Sequence, residues 1–254
     1  VATINNSKMT DRKIDVLYGV ASIADAAPYN FVNTYFLLFM ITIARIPPEK
    51  ASNIYAILMI ANGLVSALIG FISDNIRLKN SRRCQFMNIA IPFLCVGLVM
   101  MFVVISLDIT FLYYYFIFAS VIYGAGFGCF YTPYTALGAE ITDDYDKRGV
   151  LRFYVRIFGI DGNILGGVLL LLIVELISNF DINNKVSWLT VSILISIISG
   201  ISIMITSRGT REKELSSKRT NTYTKNAFIR LIKDYYTIIR LKSFKYLAVA
   251  AFFS

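Results

Sequence analysis

Asp25 is an acid in apolar company. It lies in Tyr18-Gly-Val-Ala-Ser-Ile-Ala-Asp25-Ala-Ala-Pro28-Tyr-Asn30, well inside a long apolar run, among small residues and ahead of a helix-weakening proline. A charge at the middle of a bilayer costs about 2.5 to 3.5 kcal/mol on insertion scales, so such a residue needs a partner or a water-filled cavity. Two chemistries follow. Either Asp25 is ion-paired with a cation on another helix, or it is a carboxylate held open to a polar ligand. Arg156 is a complementary group, a guanidinium whose several fixed donors suit hydroxyls or Asp25 itself. Its alternative role is to snorkel from a helix start to the interface. Asp161, in Phe158-Gly-Ile-Asp161-Gly-Asn163, is about a turn and a half beyond Arg156 and so falls on another helical face.

Two further stretches concentrate polar groups at the ends of apolar runs. One is Tyr131-Thr-Pro-Tyr-Thr-Ala-Leu-Gly-Ala-Glu-Ile-Thr-Asp-Asp-Tyr-Asp-Lys-Arg148, where Tyr131 and Thr135 are one helical turn apart and share a face. The other is Gly70-Phe-Ile-Ser-Asp74-Asn-Ile-Arg77-Leu-Lys79-Asn-Ser-Arg82-Arg83. There a small residue permits close helix approach, an acid sits at the membrane edge, and a basic cluster follows that can pair with it.

The elements that must position these residues are transmembrane helices. Hydrophobic residues make up 56% of the 254-residue chain and charged residues 16%, and the mean hydropathy is +0.62. These values lie outside the soluble range. Six apolar stretches are long enough to span, at 16–44, 54–76, 86–106, 110–140, 152–176 and 186–206, and another begins at 244. Each must cross as a helix, because hydrocarbon offers no partner to an unpaired backbone amide. The expected organisation is a six-helix bundle over 1–206, a basic linker over 207–243, and the start of a seventh helix over 244–254. That last run is too short to cross, so the chain is expected to continue beyond it. The 16–44 run is too long for a signal-peptide core.

Basic residues fix an orientation. Of the 25 Lys and Arg, 22 fall at the N terminus, in the second, fourth and sixth inter-span segments and at their edges; Arg45, Lys50 and Lys185 lie on the other side. By the positive-inside rule the N terminus and the 207–243 segment are expected in the cytoplasm of a multi-pass protein of the cell inner or plasma membrane. The net charge of +9 is thereby explained without nucleic acid. The linker suits a solvated connection or contact with anionic lipid, and 227–241 has the spacing of an amphipathic helix. Cys84, Cys95 and Cys129 have no CxxC spacing, and histidine is absent. Neither a metal site, a cofactor nor an enzyme is expected, because no nucleophile motif or clustered ligand set occurs.

The segment 131–156, which ends in Leu151-Arg-Phe-Tyr-Val-Arg156, resembles the helix IV to helix V region of the glycoside-pentoside-hexuronide:cation symporters. This is the melibiose permease group of the major facilitator superfamily. Tyr18-Gly19 and the Gly70–Arg83 loop agree with it in the same order, so the likeness covers essentially the whole chain. The resemblance implies an all-α polytopic fold: the N-terminal six-helix half of a twelve-helix bundle plus the start of helix VII, with a C-terminal six-helix half as partner. It implies secondary active transport of a sugar or glycoside by alternating access, coupled to Na+ or H+. Asp25, within one residue of the family's helix I acid, and Arg156 at its helix V arginine are then substrate-binding residues. Tyr131, where the family has an acid, can stack on a sugar ring and donate through its hydroxyl; Thr135 faces the same cavity. The cation-site positions are Asn62 and Ser66, where the family carries two acids, so this sequence offers oxygens there without charge. Gly70, Asp74, Arg82, Arg83 and Arg148 are the expected cytoplasmic gate. The alternatives are an uncoupled facilitator and a non-transporting membrane sensor on the same fold.

Overall fold

The computed structural model describes residues 2–75, 82–105, 108–142, 144–176 and 185–216. They form six α-helices: α1 (Ala2–Thr42), α2 (Pro48–Asn75), α3 (Arg82–Met101), α4 (Ile109–Ile141), α5 (Tyr145–Leu176) and α6 (Lys185–Ser216). The 244–254 run and most of the 207–243 segment lie outside the described residues. The helices overrun several of the apolar stretches, since a helix continues wherever its end is capped rather than where hydropathy falls. Thus α6 extends ten residues past 206, and α5 begins at Tyr145 rather than at 152.

Local chemistry sets these ends. Between α1 and α2, Arg45 takes the left-handed conformation at φ 56°, and the Ala44 and Ile46 amides bond back to Phe39 O and Met40 O. Orphan carbonyls of the last turn are thereby satisfied. Pro48 then occupies the first position of α2, where its missing N–H costs nothing. Before α5, Asp144 is the N-cap: its Oδ1 accepts from the Asp146 amide at 3.0 Å, and its own amide donates to Thr142 Oγ1 at 3.2 Å. Replacing Asp144 by Ala should cost about 1 kcal/mol, read as a lower melting temperature of the detergent-solubilised protein.

Four of the described helices contain a stretch long and apolar enough to cross a membrane: Pro48–Gly70, Arg83–Met101, Ile109–Ile141 and Lys185–Arg211. Six such stretches were expected from length alone. The difference has a physical cause, because α1 carries Asp25, Asn30, Asn33 and Thr34, and α5 carries Arg152, Arg156, Asp161 and Asn163. These two polar helices pack along each other, each shielding part of the other from hydrocarbon.

The bundle is a chain of neighbours. α5 packs on α1, α1 on α6, α6 on α3, α3 on α4, and α4 on α2. Small residues let backbones approach. Gly97 of α3 meets the Tyr123 backbone, and Gly126 of α4 meets the backbone of Phe93 and Leu94, so α3 and α4 run antiparallel. Along α6, buried hydroxyls bond to carbonyls of its neighbours: Ser202 to Val20 O, Thr206 to Leu17 O at 2.6 Å, and Ser207 to Cys84 O at 3.1 Å. The end of the bundle away from the α4–α5 turn is filled by Phe31, Phe36, Phe39, Phe102, Phe116 and Trp188, with Phe102 and Trp188 stacked at 6.0 Å.

Candidate functional site

α1 and α4 meet through aromatic side chains, and the meeting has two levels. Nearer the α4–α5 turn, Tyr18 and Tyr134 stack at 4.7 Å, both buried. The Tyr18 hydroxyl donates to Tyr134 O at 3.0 Å, the Tyr134 hydroxyl lies 3.4 Å from Tyr18 O, and Ser22 Oγ is 2.8 Å from the Tyr134 hydroxyl. Gly138 makes this possible, because a Cβ there would collide with the Tyr18 hydroxyl. Deeper in the bundle, Tyr123, Phe127 and Tyr131 follow each other at one-turn spacing on α4. Phe127 stacks on Tyr131 at 5.8 Å and 9°, and Tyr29 of α1 stacks on Phe127 at 5.8 Å and 26°. Tyr29 and Tyr131 are exposed at 48% and 40%, while Phe127 is buried between them. The result is an open shelf of three rings.

Asp25 stands beside that shelf. It is half-buried and carries no hydrogen bond or ion pair among the described residues. On α1 it comes three residues after Ser22 and four before Tyr29, one turn from each aromatic level, and it is within electrostatic reach of Tyr131. Thr135 is one turn from Tyr131, but its hydroxyl bonds to Tyr131 O at 3.1 Å and Thr132 O at 3.0 Å, so its proton is engaged on its own helix. Arg156 is exposed on α5 and is not among the charges acting on Tyr18 or Tyr131. Arg152, one turn earlier on the same face, acts on both, and it too lacks an ion pair among the described residues.

Asn62, Ser66 and Gly70 lie one turn apart on the face of α2 that packs against α4. They meet Gly124, Gly128 and Thr132 at a constant offset, so the two helices run parallel. Asn62 Oδ1 is buried with no hydrogen-bond partner. Ser66 accepts from Thr132 Oγ1 through its backbone carbonyl at 3.3 Å. Tyr55 of α2 donates to Asn33 Oδ1 at 2.7 Å, and Asn30 donates to Asn163 O at 2.9 Å, which extends the polar lining toward the far end.

Of the expected gate, Arg83 lies in a nearly buried ion pair with Glu140 at 2.6 Å, joining the start of α3 to the end of α4. Arg148 donates from Nε to Thr142 O at 3.0 Å and tightens the α4–α5 turn. The side chains of Asp74 and Arg82 lie outside the described residues. Glu140, Tyr18, Tyr134 and Arg152 were all within the quoted motifs but had no assigned partner, because nothing in the spacing says which helices become neighbours.

A bundle of membrane-crossing helices whose polar residues gather on α1 and α5, around an open aromatic shelf and an unpaired carboxylate, defines the class of polytopic solute-handling membrane proteins. The chain matches the MFS/sugar transport protein family over residues 17–254 and belongs to that family. It is also 28% identical over 162 residues to an uncharacterized symporter of Synechocystis sp., a match covering 61% of this chain and 30% of that relative.

Proposed function

We propose that this chain contributes the substrate-binding six-helix bundle of a secondary active transporter of sugars or glycosides, working by cation-coupled symport and alternating access. The observation that carries the proposal is the unpaired Asp25 carboxylate beside the Tyr29–Phe127–Tyr131 shelf. A sugar ring presents an apolar C–H face to an aromatic ring and hydroxyls around its rim. Asp25 accepts from those hydroxyls, Arg152 and Arg156 donate to them, and Tyr131 does both. Such a ligand replaces the water that must otherwise solvate Asp25 at membrane depth. A second six-helix half would close the cavity from the opposite side, placing the site between two halves. The excess of basic residues on that side supports a cytoplasmic α4–α5 turn, with Gly70, Asp74, Arg82, Arg83 and Arg148 as its gate.

The rival reading is a membrane sensor on the same fold. It is favoured by Asn62 and Ser66, which bring no charge to hold a metal cation between α2 and α4. Both readings share the ligand site. In the complete protein, Asp25→Asn should lower the affinity for a labelled methyl glycoside by about 100-fold, as expected when a hydrogen bond to a charged group is lost. Equilibrium dialysis of protein with unchanged expression would measure it, and wild-type affinity in the variant would remove Asp25 from the site.

A further inference from the structure

We propose that Asp161 seats an ion pair with a Lys or Arg on a membrane helix of the second half of this protein, which makes its face of α5 an interface rather than a lipid surface. This rests on the reading above that a second six-helix half completes the protein, and it names a contact between the halves outside the ligand site.

The depth of Asp161 follows from the packing of α5 on α1. A Cβ on Gly162 would lie 2.9 Å from Ala26 Cβ and 3.1 Å from Ile23 Cα, and Gly166 meets the Ala27 backbone one turn further on. Asp161 is therefore level with Asp25. It also lies about 20 Å of helix beyond Arg148, well inside a hydrocarbon core roughly 30 Å thick.

Its direction differs from that of the ligand site. Arg152 precedes Asp161 by nine residues, about two and a half turns, and so lies on the opposite side of α5; Arg156 is about 140° away around the axis. Asp161 instead shares a face with Ile157, Ile164, Val168 and Leu172, which recur at spacings of three and four and are exposed at 40%, 54%, 40% and 45%. Asp161 is itself exposed, with no hydrogen bond or ion pair among the described residues.

An acid at this depth requires a partner or a water-filled cavity. The neighbours on its face are aliphatic, which does not suit a cavity. This bundle supplies no cation either. Lys and Arg are absent from 14–44, 51–76, 84–146, 157–184 and 186–207, which leaves at membrane depth only the two arginines on other sides of α5. A helix with an apolar face and one basic side chain complements both the aliphatic stripe and the acid.

The test is made on the complete protein. Basic residues inside membrane helices are few, so each Lys and Arg of the second-half helices is replaced by Gln, alone and together with Asp161→Asn, and melting in detergent is measured. Asp161→Asn is expected to lower the melting temperature by about 5 °C, and one of the Gln variants to do the same. Together those two should melt near the wild type, because it is the charge left behind that destabilises. Wild-type melting of Asp161→Asn overturns the pair, as do additive effects at every basic position. If Asp161→Asn does not fold alone, recovery of folding by one second-site Gln supports the pair, and recovery by none overturns it. A dimer of the wild type that Asp161→Asn dissociates would place the cation on a second copy and overturn the assignment. Binding of labelled methyl glycoside is read on the same preparations. Coupling at one position without any glycoside binding removes the transporter reading and leaves the pair; binding with no coupled position removes the pair alone.

Discussion

Gly126→Ala is expected to destabilise the bundle by about 3 kcal/mol, the upper part of the range for overpacked cores. A Cβ at this position would lie 2.7 Å from Leu94 Cα and 2.7 Å from the Phe93 carbonyl carbon, and closer still to the Leu94 amide. All three are backbone atoms, so no rotamer change relieves the contact. α3 would have to move away from α4, which would also shift Tyr123, whose backbone fits against Gly97. Gly63 is the control, because an added Cβ there meets nothing within 4 Å. Gly63→Ala should gain up to about 1 kcal/mol from helix propensity. Melting of the two variants in detergent separates close packing from a general intolerance of substitution, and equal melting temperatures would contradict the α3–α4 register.

Glu140→Ala should cost about 3 to 5 kcal/mol, as removal of one partner from a buried ion pair does. Arg83 and Glu140 side chains are exposed by only 7% and 11% and meet at 2.6 Å. The guanidinium would lose its 2.6 Å partner in a site with little access to water. The double variant Arg83→Met with Glu140→Leu should recover most of the loss, since a well-packed apolar pair removes the desolvation penalty along with the attraction. A double-mutant cycle on melting free energies measures the coupling. Two single variants whose effects simply add would show that the charges do not depend on each other, contrary to their burial.

The long apolar runs made the helices legible in the sequence, because hydrocarbon permits few other structures. Their ends were less legible. The Thr142-Asp-Asp-Tyr-Asp146 stretch, quoted for its charge, turns out to cap α5 through Asp144, a local hydrogen-bonding role that hydropathy does not report. Asp25 was singled out by type, as an acid inside an apolar run, whereas Tyr131 was singled out because the resemblance has an acid at its position. Arg152 was grouped with the basic residues that set topology, and Arg156 was preferred for the site. The two differ by one turn, and only the depth of α5 against α1 distinguishes them. Tyr18 with Tyr134, Tyr29 with Phe127, and Arg83 with Glu140 join residues far apart in the chain, so their pairing depends on helix adjacency that no local spacing encodes. Gly124, Gly126 and Gly128 were the available clue. Three alternating glycines on one helix present small surfaces in more than one direction, as a helix packed between two neighbours requires.

On the proposed function, the ligand bound at Asp25 and the aromatic shelf is carried across the membrane. Counterflow in proteoliposomes containing the complete protein separates carriage from binding: vesicles are loaded with unlabelled methyl glycoside and the entry of labelled methyl glycoside is followed. Transient accumulation of label above its external concentration is predicted for the wild type, with none for Asp25→Asn. Binding of the label by the wild type without any exchange would contradict transport and identify a sensor.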